Sequence, residues 1–213
     1  MQQQDLTTRQ EIVEACRRMN ALGINQGTSG NISVRDGGDL LITPTSLAYD
    51  RMTAADIVRL HADGSFDGDR PPSTEWRFHL AIMRAKSGVK AIVHNHSPYA
   101  TTVAILERDI PPIHYMVAAG GGSSIRCAPY ATFGTAELSD NAVKALDGRK
   151  ACLLAHHGVI ATGETLDQAL WLAVEVETLA RQYLGCLQAG EVRLLAEAEI
   201  DKVLARWAGY GLG

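Results

Sequence analysis

Ala91-Ile92-Val93-His94-Asn95-His96 is the stretch on which the fold and the chemistry of this chain depend. The β-branched run predicts a short buried strand, and two histidines close it. Side chains two residues apart on a strand point to the same face, so both imidazoles can reach one metal ion. Because a histidine pair alone is a weak indication of metal binding, other parts of the chain must supply further ligands.

The composition is that of a globular protein, with 46% apolar and 21% charged residues among 213. The net charge of −4, without a run of lysines or arginines, argues against nucleic acid or an anionic membrane as partner. The N-terminus has no signal-peptide pattern, and no apolar run approaches the ~20 residues of a membrane span. We therefore expect a cytoplasmic protein with one domain over residues 1–213, and its four scattered cysteines are expected to be reduced thiols.

The hydrophobic periodicity alternates between strands and helices along the whole chain. A capping-box pattern at Thr8-Arg9-Gln10-Glu11 predicts the start of the first helix, and residues 113–117 alternate as in a strand. A hairpin is expected around the turn at residues 36–39. Further helices are predicted at about residues 74–88, 98–106, 135–146, 166–189 and 196–207.

Three clusters of hydroxyl residues precede or follow the predicted elements. They are Gly27-Thr28-Ser29-Gly30-Asn31, Thr43-Pro44-Thr45-Ser46 and Pro72-Ser73-Thr74. The glycines allow close approach of the backbone to a ligand, and the third cluster lies at a helix N-terminus, where the dipole favours anions. Together the clusters predict a composite phosphate site built from neutral donors.

Further metal ligands are available at two other places. Ala151-Cys152-Leu153-Leu154-Ala155-His156-His157-Gly158 is a second apolar run that ends in histidines, and Glu75 lies in the first turn of a helix. Spacing does not choose between His156 and His157, while His79 is expected to be a hydrogen-bond partner of Glu75. Three histidines and a carboxylate are a common zinc set. The residues by themselves therefore predict a metal enzyme that acts on a small phosphorylated ligand.

Seven ordered motifs resemble the class II aldolase family, and the resemblance spans nearly the whole chain. Within the family, the members that act on L-fuculose 1-phosphate are the most similar. The motifs are Gly27-Thr28-Ser29-Gly30-Asn31, Ile42-Thr43-Pro44-Thr45, Ser73-Thr74-Glu75-Trp76-Arg77-Phe78-His79, Val93-His94-Asn95-His96, Ile113-His114-Tyr115, Cys127-Ala128-Pro129-Tyr130-Ala131-Thr132-Phe133-Gly134-Thr135 and Leu154-Ala155-His156-His157-Gly158.

The resemblance implies an α/β fold, a three-layer α/β/α sandwich around a mixed, mostly antiparallel sheet. It also implies one Zn²⁺, or another divalent metal, per subunit and a homotetramer with active sites between subunits. The implied metal ligands are His94, His96, His157 and Glu75, of which Glu75 is also the catalytic acid/base.

The remaining site residues also follow from the resemblance. Tyr115 is implied as a catalytic residue that a neighbouring subunit contributes, and Phe133 and Tyr210 line the aldehyde side. The implied substrate and phosphate contacts are Thr28, Ser29, Gly30, Asn31, Thr45, Ser46, Ser73 and Thr74, several of them through backbone amides.

The implied reaction is a lyase reaction of carbohydrate metabolism. It is the reversible cleavage of a ketose 1-phosphate, such as L-fuculose 1-phosphate, into dihydroxyacetone phosphate and an aldehyde such as lactaldehyde. Ser46 stands where the most similar members have glycine, which leaves open an aldolase of 5-deoxy-pentulose or 5-methylthioribulose 1-phosphate. A pentulose-phosphate 4-epimerase, a sugar-phosphate dehydratase and a metal-free binding module of the adducin-head type are further alternatives.

Overall fold

The computed structural model describes the backbone of residues 3–210 and the side chains of residues 3–208. Within this range the helices are α1 (Gln3–Ala21), α2 (Trp76–Ala85), α3 (Pro98–Ile105), α4 (Ala136–Ala145), α5 (Leu166–Ala189) and α6 (Glu197–Tyr210). The strands are β1 (Asn31–Asp36), β2 (Asp39–Ile42), β3 (Val58–Leu60), β4 (Phe66–Asp67), β5 (Ala91–Asn95), β6 (Arg126–Ala128), β7 (Ala151–Leu154) and β8 (Gly158–Gly163). Two 3-10 helices cover Ala54–Asp56 and Tyr115–Gly120.

The strands form one sheet in the order β4-β3-β2-β1-β5-β8-β7-β6. Every neighbouring pair is antiparallel except β6 and β7, which are parallel. The predicted mixed, mostly antiparallel sheet is therefore confirmed. The strand that carries His94 and is followed directly by His96, β5, lies at the middle of this sheet between β1 and β8.

Helices cover both faces of the sheet, which confirms the three-layer α/β/α architecture. Successive strand residues point to opposite faces, so Ala91 and Val93 of β5 pack into one core and Ile92 into the other. The first core is completed by residues of α1, α3 and α5, and the second by residues of α2 and α4. By the same alternation His94 points to the α2 side, where its ring packs edge-on against Phe78.

The first helix starts earlier than the capping-box pattern predicts, so that prediction is wrong. Residues from Gln3 onward are already helical, and the Thr8 hydroxyl donates to the Gln4 carbonyl at 3.2 Å, a bond made inside a helix. An ion pair of 2.7 Å between Asp5 and Arg9, four residues apart, stabilises the added turn.

The prediction of a strand over residues 113–117 is also wrong, because residues 115–117 form the start of the 3-10 helix Tyr115–Gly120. The His114 ring accepts a hydrogen bond from the Met116 amide at 3.2 Å and caps the helix. Val117 and Ala118 are buried on one side of the turn. A short alternation of apolar residues fits both structures, so burial against α5 and α6 decides between them.

The cysteines follow the prediction of free thiols, since all four are unpaired. Burial, with Asp109 nearby, raises the pKa of Cys127 to about 11. None of the helices within residues 3–210 combines the length and the hydropathy that crossing a bilayer requires.

Candidate metal centre and phosphate pocket

Four side chains meet where β5 ends beside the β7–β8 turn and the start of α2. Glu75, His94, His96 and His157 each offer a ligand atom, and these atoms lie within 4.8 Å of one another. The Nε2 atoms of His94 and His96 are 3.1 Å apart. Two nitrogens about 2.0–2.1 Å from one tetrahedral ion would be separated by roughly 3.3 Å. We call these four residues the metal cluster.

The turn between β7 and β8 selects His157 over His156 as the cluster member. His156 adopts a left-handed backbone with φ 55°, and its Nε2 atom points away to Glu107 Oε1 at 3.0 Å. The next residue, His157, then faces the cluster, with its Nε2 atom 3.0 Å from Glu75 Oε1. The geometry thus places His157, the residue implied by the family resemblance, beside the other ligands.

Gly158 allows the turn to lie close to β5. A Cβ atom at this position would come within 2.4 Å of the Asn95 carbonyl oxygen and 2.8 Å of the His96 ring. Both distances are too short for any side chain, so only glycine permits the approach. The glycine after His157 is therefore required by the packing of the site.

A backbone contact fixes the protonation of the His94 ring. Its Nδ1 atom lies 2.8 Å from the Val159 carbonyl oxygen, which only accepts hydrogen bonds, so Nδ1 carries the proton. The Nε2 lone pair of His94 is thereby left facing the cluster, as in metal-ligating histidines generally.

Glu75 and His94 are buried and His96 and His157 are half-buried, and burial together with neighbouring side chains shifts the pKa of Glu75 and of His96. Burial alone would raise the pKa of Glu75, but His94 and His157 outweigh it and hold this pKa well below the usual range. Burial, reinforced by His94 and His157, lowers the pKa of His96 to about 3. Glu75 is therefore a carboxylate and His96 a neutral imidazole, the forms that bind metal.

Unused bonding capacity at Glu75 points to a ligand in the cluster. Asn31 Nδ2 donates to Glu75 Oε2 at 2.9 Å, whereas the buried Oε1 atom has His157 Nε2 at 3.0 Å beside it but no well-aligned hydrogen bond within the described residues. A buried carboxylate oxygen of this kind is costly unless a cation occupies the space beside it. Three imidazoles and this carboxylate therefore fit a divalent metal ion.

A cavity of about 340 Å³ opens next to the metal cluster. All the predicted phosphate contacts line it, and we call them the hydroxyl cradle: Thr28, Ser29, Gly30, Asn31, Thr45, Ser46, Ser73 and Thr74. Its lining, as far as the described residues define it, contains neither lysine nor arginine. Hydroxyls, amides and the N-terminus of α2 are thus the groups available to an anion.

Backbone pairing brings the three loops of the cradle together. Pro44 and Pro72 form an isolated β-bridge, and the Ser73 amide donates to the Thr43 carbonyl at 2.9 Å. Gly30 lies so close to β5 that a Cβ atom would come within 2.7 Å of the His94 carbonyl oxygen. The cradle and the metal cluster are therefore held to the same end of β5.

Ser46 occupies a backbone conformation that favours glycine. Its φ of 54° is left-handed, which costs a residue with a Cβ atom roughly 1–2 kcal/mol. The Ser46 Oγ atom lies 3.4 Å from Thr45 Oγ1 at the cavity wall. The serine thus adds a hydroxyl to the cradle at the cost of backbone strain.

Aromatic side chains form the outer part of the cavity. Phe133 is 64% exposed and Tyr130 is 58% exposed, and both line the cavity with His156. Phe133 was predicted to line the aldehyde side. No role was predicted for Tyr130, although it lies in the same motif, or for His156 as a lining residue. Tyr115 is 49% exposed and does not line the cavity, and the Tyr210 side chain lies outside the described residues.

The prediction that His79 pairs with Glu75 is wrong. The His79 ring contacts Asn31 Oδ1 at 2.5 Å and Ser33 Oγ at 2.7 Å, and only Asn31 reaches Glu75. The four-residue spacing suggested a direct contact, but Glu75 is the N-cap of α2 and its side chain turns toward the histidines.

The chain is similar to known proteins in sequence and in structure. The family described as Class II Aldolase and Adducin N-terminal domain matches residues 10–184. A 5-methylthioribulose-1-phosphate/5-deoxyribulose-1-phosphate aldolase of Rhodospirillum rubrum is 51% identical over 97% of this chain and 93% of its own. An L-fuculose phosphate aldolase of Escherichia coli K12 is 50% identical over 95% and 94%.

A solved structure agrees with these relatives. An L-fuculose 1-phosphate aldolase superimposes with a TM-score of 0.91 at 35% identity and covers 94% of this chain and 95% of its own. The family match and the relatives each extend over most of the sequence, including the metal cluster and the cradle. The chain belongs to the class II aldolase and adducin N-terminal domain family.

Proposed function

We propose that this protein is a metal-dependent aldolase, a lyase, that reversibly cleaves a ketose 1-phosphate into dihydroxyacetone phosphate and an aldehyde. The observation that carries the proposal is the metal cluster opening into the same cavity as the hydroxyl cradle. A metal-free binding module of the adducin-head type would not require three imidazoles and a buried carboxylate at this spacing. Both relatives named above are also named as aldolases of sugar phosphates.

The metal cluster would hold one divalent ion through His94, His96, His157 and Glu75. We propose Zn²⁺, because histidine nitrogens with one carboxylate are a common zinc set, although other divalent ions accept the same ligands. A bound divalent ion acts as a Lewis acid that polarises the ketose carbonyl. The protein would supply the fixed ring orientation of His94 and the buried carboxylate of Glu75.

The hydroxyl cradle would bind the phosphate and so place C3 and C4 of the sugar beside Glu75. The available donors are the hydroxyls of Thr45, Ser73 and Thr74. Holding the phosphate fixes the orientation of the reacting bond, which makes cleavage effectively unimolecular. Because the donors are neutral, we expect phosphate affinity to depend weakly on salt concentration.

Glu75 would move the proton at C3. When the C3–C4 bond breaks, the C4 hydroxyl gives up its proton, C4 leaves as the aldehyde carbon, and the electron pair of the broken bond stays with C3. The Glu75 carboxylate would take up the released proton and deliver it to C3. In the condensation direction the Glu75 carboxylate takes that proton from C3 of dihydroxyacetone phosphate. We also propose that Tyr115 of a neighbouring subunit assists proton transfer at the C4 hydroxyl.

The residues that would contact the phosphate do not distinguish between two substrate types. L-Fuculose 1-phosphate releases lactaldehyde, whereas 5-deoxy-pentulose and 5-methylthioribulose 1-phosphates release aldehydes with a different tail. Tyr130 and Phe133 at the outer cavity would meet this tail, and their exposed rings suit a methyl or methylthio group. We propose the L-fuculose 1-phosphate type first, with the 5-substituted pentulose phosphates as the second candidate.

We expect the zinc-loaded protein to release dihydroxyacetone phosphate from at least one of these sugars. A coupled assay would follow release from L-fuculose 1-phosphate and from 5-deoxy and 5-methylthio pentulose 1-phosphates in parallel. The sugar with the highest kcat/KM identifies the aldehyde tail that the outer cavity accepts. No release from any sugar would reject the aldolase, and C4 epimers or dehydrated products in the same samples would indicate an epimerase or dehydratase.

We expect Ser46→Gly to raise KM about two- to tenfold with little change in kcat. The variant loses one hydroxyl donor to the phosphate, and one hydrogen bond contributes about 0.5–1.5 kcal/mol. Relief of the backbone strain would stabilise the folded protein, whereas the greater freedom of glycine in the unfolded chain would destabilise it, so the two effects on the free energy of unfolding oppose each other. Steady-state kinetics of the best substrate provide the test, and an unchanged KM would show that the Ser46 hydroxyl does not contact phosphate.

The quaternary structure and location stay predictions. A homotetramer would explain how Tyr115, which lies outside the cavity of its own chain, can reach an active site. We also retain the cytoplasmic location and the single-domain organisation proposed from the sequence.

A further inference from the structure

Four polar side chains form a continuous buried chain behind the metal cluster. Ser33 Oγ lies 2.7 Å from His79 Nδ1, His79 Nε2 lies 2.5 Å from Asn31 Oδ1, and Asn31 Nδ2 lies 2.9 Å from Glu75 Oε2. Ser33 and His79 have no exposed surface, and Asn31 and Glu75 are 3% and 6% exposed. We call Ser33, His79, Asn31 and Glu75 the polar chain.

The register of the sheet creates this arrangement. Asn31 lies opposite His94 in the β1–β5 pair, so its side chain emerges beside the metal cluster. Ser33, two residues further along β1, points to the same face, which α2 covers with His79. The contact therefore joins β1 to the helix whose N-cap is Glu75.

Chemistry determines the direction of every hydrogen bond in the polar chain. The Glu75 carboxylate only accepts, so the amide of Asn31 must turn its nitrogen toward Glu75 and its oxygen toward His79. His79 must then donate from Nε2. Burial, more than the nearby His94, lowers the pKa of His79 to about 3, so the ring is neutral and its Nδ1 atom accepts from the Ser33 hydroxyl.

We infer that His79 is a positioning residue that locks the side-chain amide of Asn31 and thereby orients Glu75 and one donor of the phosphate cradle. The amide nitrogen of Asn31 has two hydrogens, and Glu75 receives one of them. Asn31 also lines the cavity, so its second N–H is available to a phosphate oxygen. Without the Nε2 donor of His79, the amide can rotate and present its oxygen to the carboxylate and the phosphate.

The inference rests on the proposed function for the role of the phosphate, but its geometry can be tested without turnover. We expect ¹⁵N NMR of the zinc-loaded, histidine-labelled protein to show the His79 proton on Nε2, exchanging slowly with solvent. His79→Gln identifies the signal by its loss. A proton on Nδ1 would reverse the direction of the polar chain and overturn the inference, whether or not any sugar is cleaved.

Paired variants separate positioning from general stability. His79→Leu removes the donor, and we expect kcat to fall about ten- to hundredfold and the dissociation constant of inorganic phosphate to rise several-fold. His79→Gln keeps an amide donor near the Nε2 position and should restore both values to within about threefold of wild type. His61→Leu, a substitution of a histidine that contacts Asp39 and Asp67 away from the cavity, serves as the control.

Ser33→Ala is a second variant that tests the same inference if His79→Leu does not fold. Loss of the hydroxyl removes the donor to Nδ1, so we expect mixed protonation of the His79 ring and a two- to fivefold lower kcat. Calorimetry gives the phosphate affinity and metal analysis gives the zinc content of each folded variant. Unchanged kcat and phosphate affinity in every folded variant would show that the polar chain serves stability alone, and the inference would fail.

Discussion

Glu75→Gln is expected to abolish aldol cleavage while the protein keeps its fold and most of its metal. General acid–base catalysis contributes about 10²–10⁴-fold, and glutamine can neither give nor take the proton at C3. The glutamine carbonyl can still accept the hydrogen bond from Asn31 that Glu75 Oε2 accepts in the wild type. Three histidines remain to hold a metal ion. The loss should therefore appear in kcat and not in folding.

The measurement combines steady-state kinetics with metal analysis of the same protein preparation. Glu14→Gln, a substitution of an exposed residue on α1, is the matched control and should behave as the wild type. Full activity of Glu75→Gln would refute the acid/base role. Loss of metal together with activity would instead make Glu75 a metal ligand without a demonstrated role in proton transfer.

His157→Ala is expected to lose both metal and activity. The substitution removes one of the three imidazoles of the metal cluster, together with the Nε2 atom that lies 3.0 Å from Glu75 Oε1. A Lewis acid supplies several kcal/mol of transition-state stabilisation, which corresponds to about a thousandfold in rate at 1.36 kcal/mol per tenfold. Treatment of the wild type with a chelator should reproduce the loss, and added zinc should reverse it only in the wild type.

The adjacent histidine offers a matched control for metal content. His156 has the same chemistry, but its ring pairs with Glu107, so His156→Ala should bind metal as the wild type does. His61→Ala controls for activity, because His61 lies outside the cavity lining. Metal retained by His157→Ala and lost by His156→Ala would show that the two histidines are assigned in the wrong order.

Local sequence patterns predict the long, regular helices of this fold well. The helix predicted over residues 166–189 has the bounds of α5, and the N-cap Thr135 of α4 accepts from the Leu138 amide at 3.2 Å. Such helices repeat a long periodic pattern, so local information suffices. The sequence did not predict the short strands β3, β4 and β8 or the 3-10 helix at Tyr115–Gly120. Their few residues are compatible with several local structures, and tertiary packing determines which one forms.

The sequence by itself determined which groups the site contains: two histidines on one strand face, a second histidine pair before a glycine, a carboxylate at a helix start and three hydroxyl clusters. Only the tertiary structure decided that His157 and not His156 joins the cluster, and that His79 reaches Glu75 through Asn31. Spacing along a chain fixes the face on which a side chain lies. Distances between elements depend instead on the β1–β5 register, the left-handed turn at His156 and the close approach that Gly158 allows.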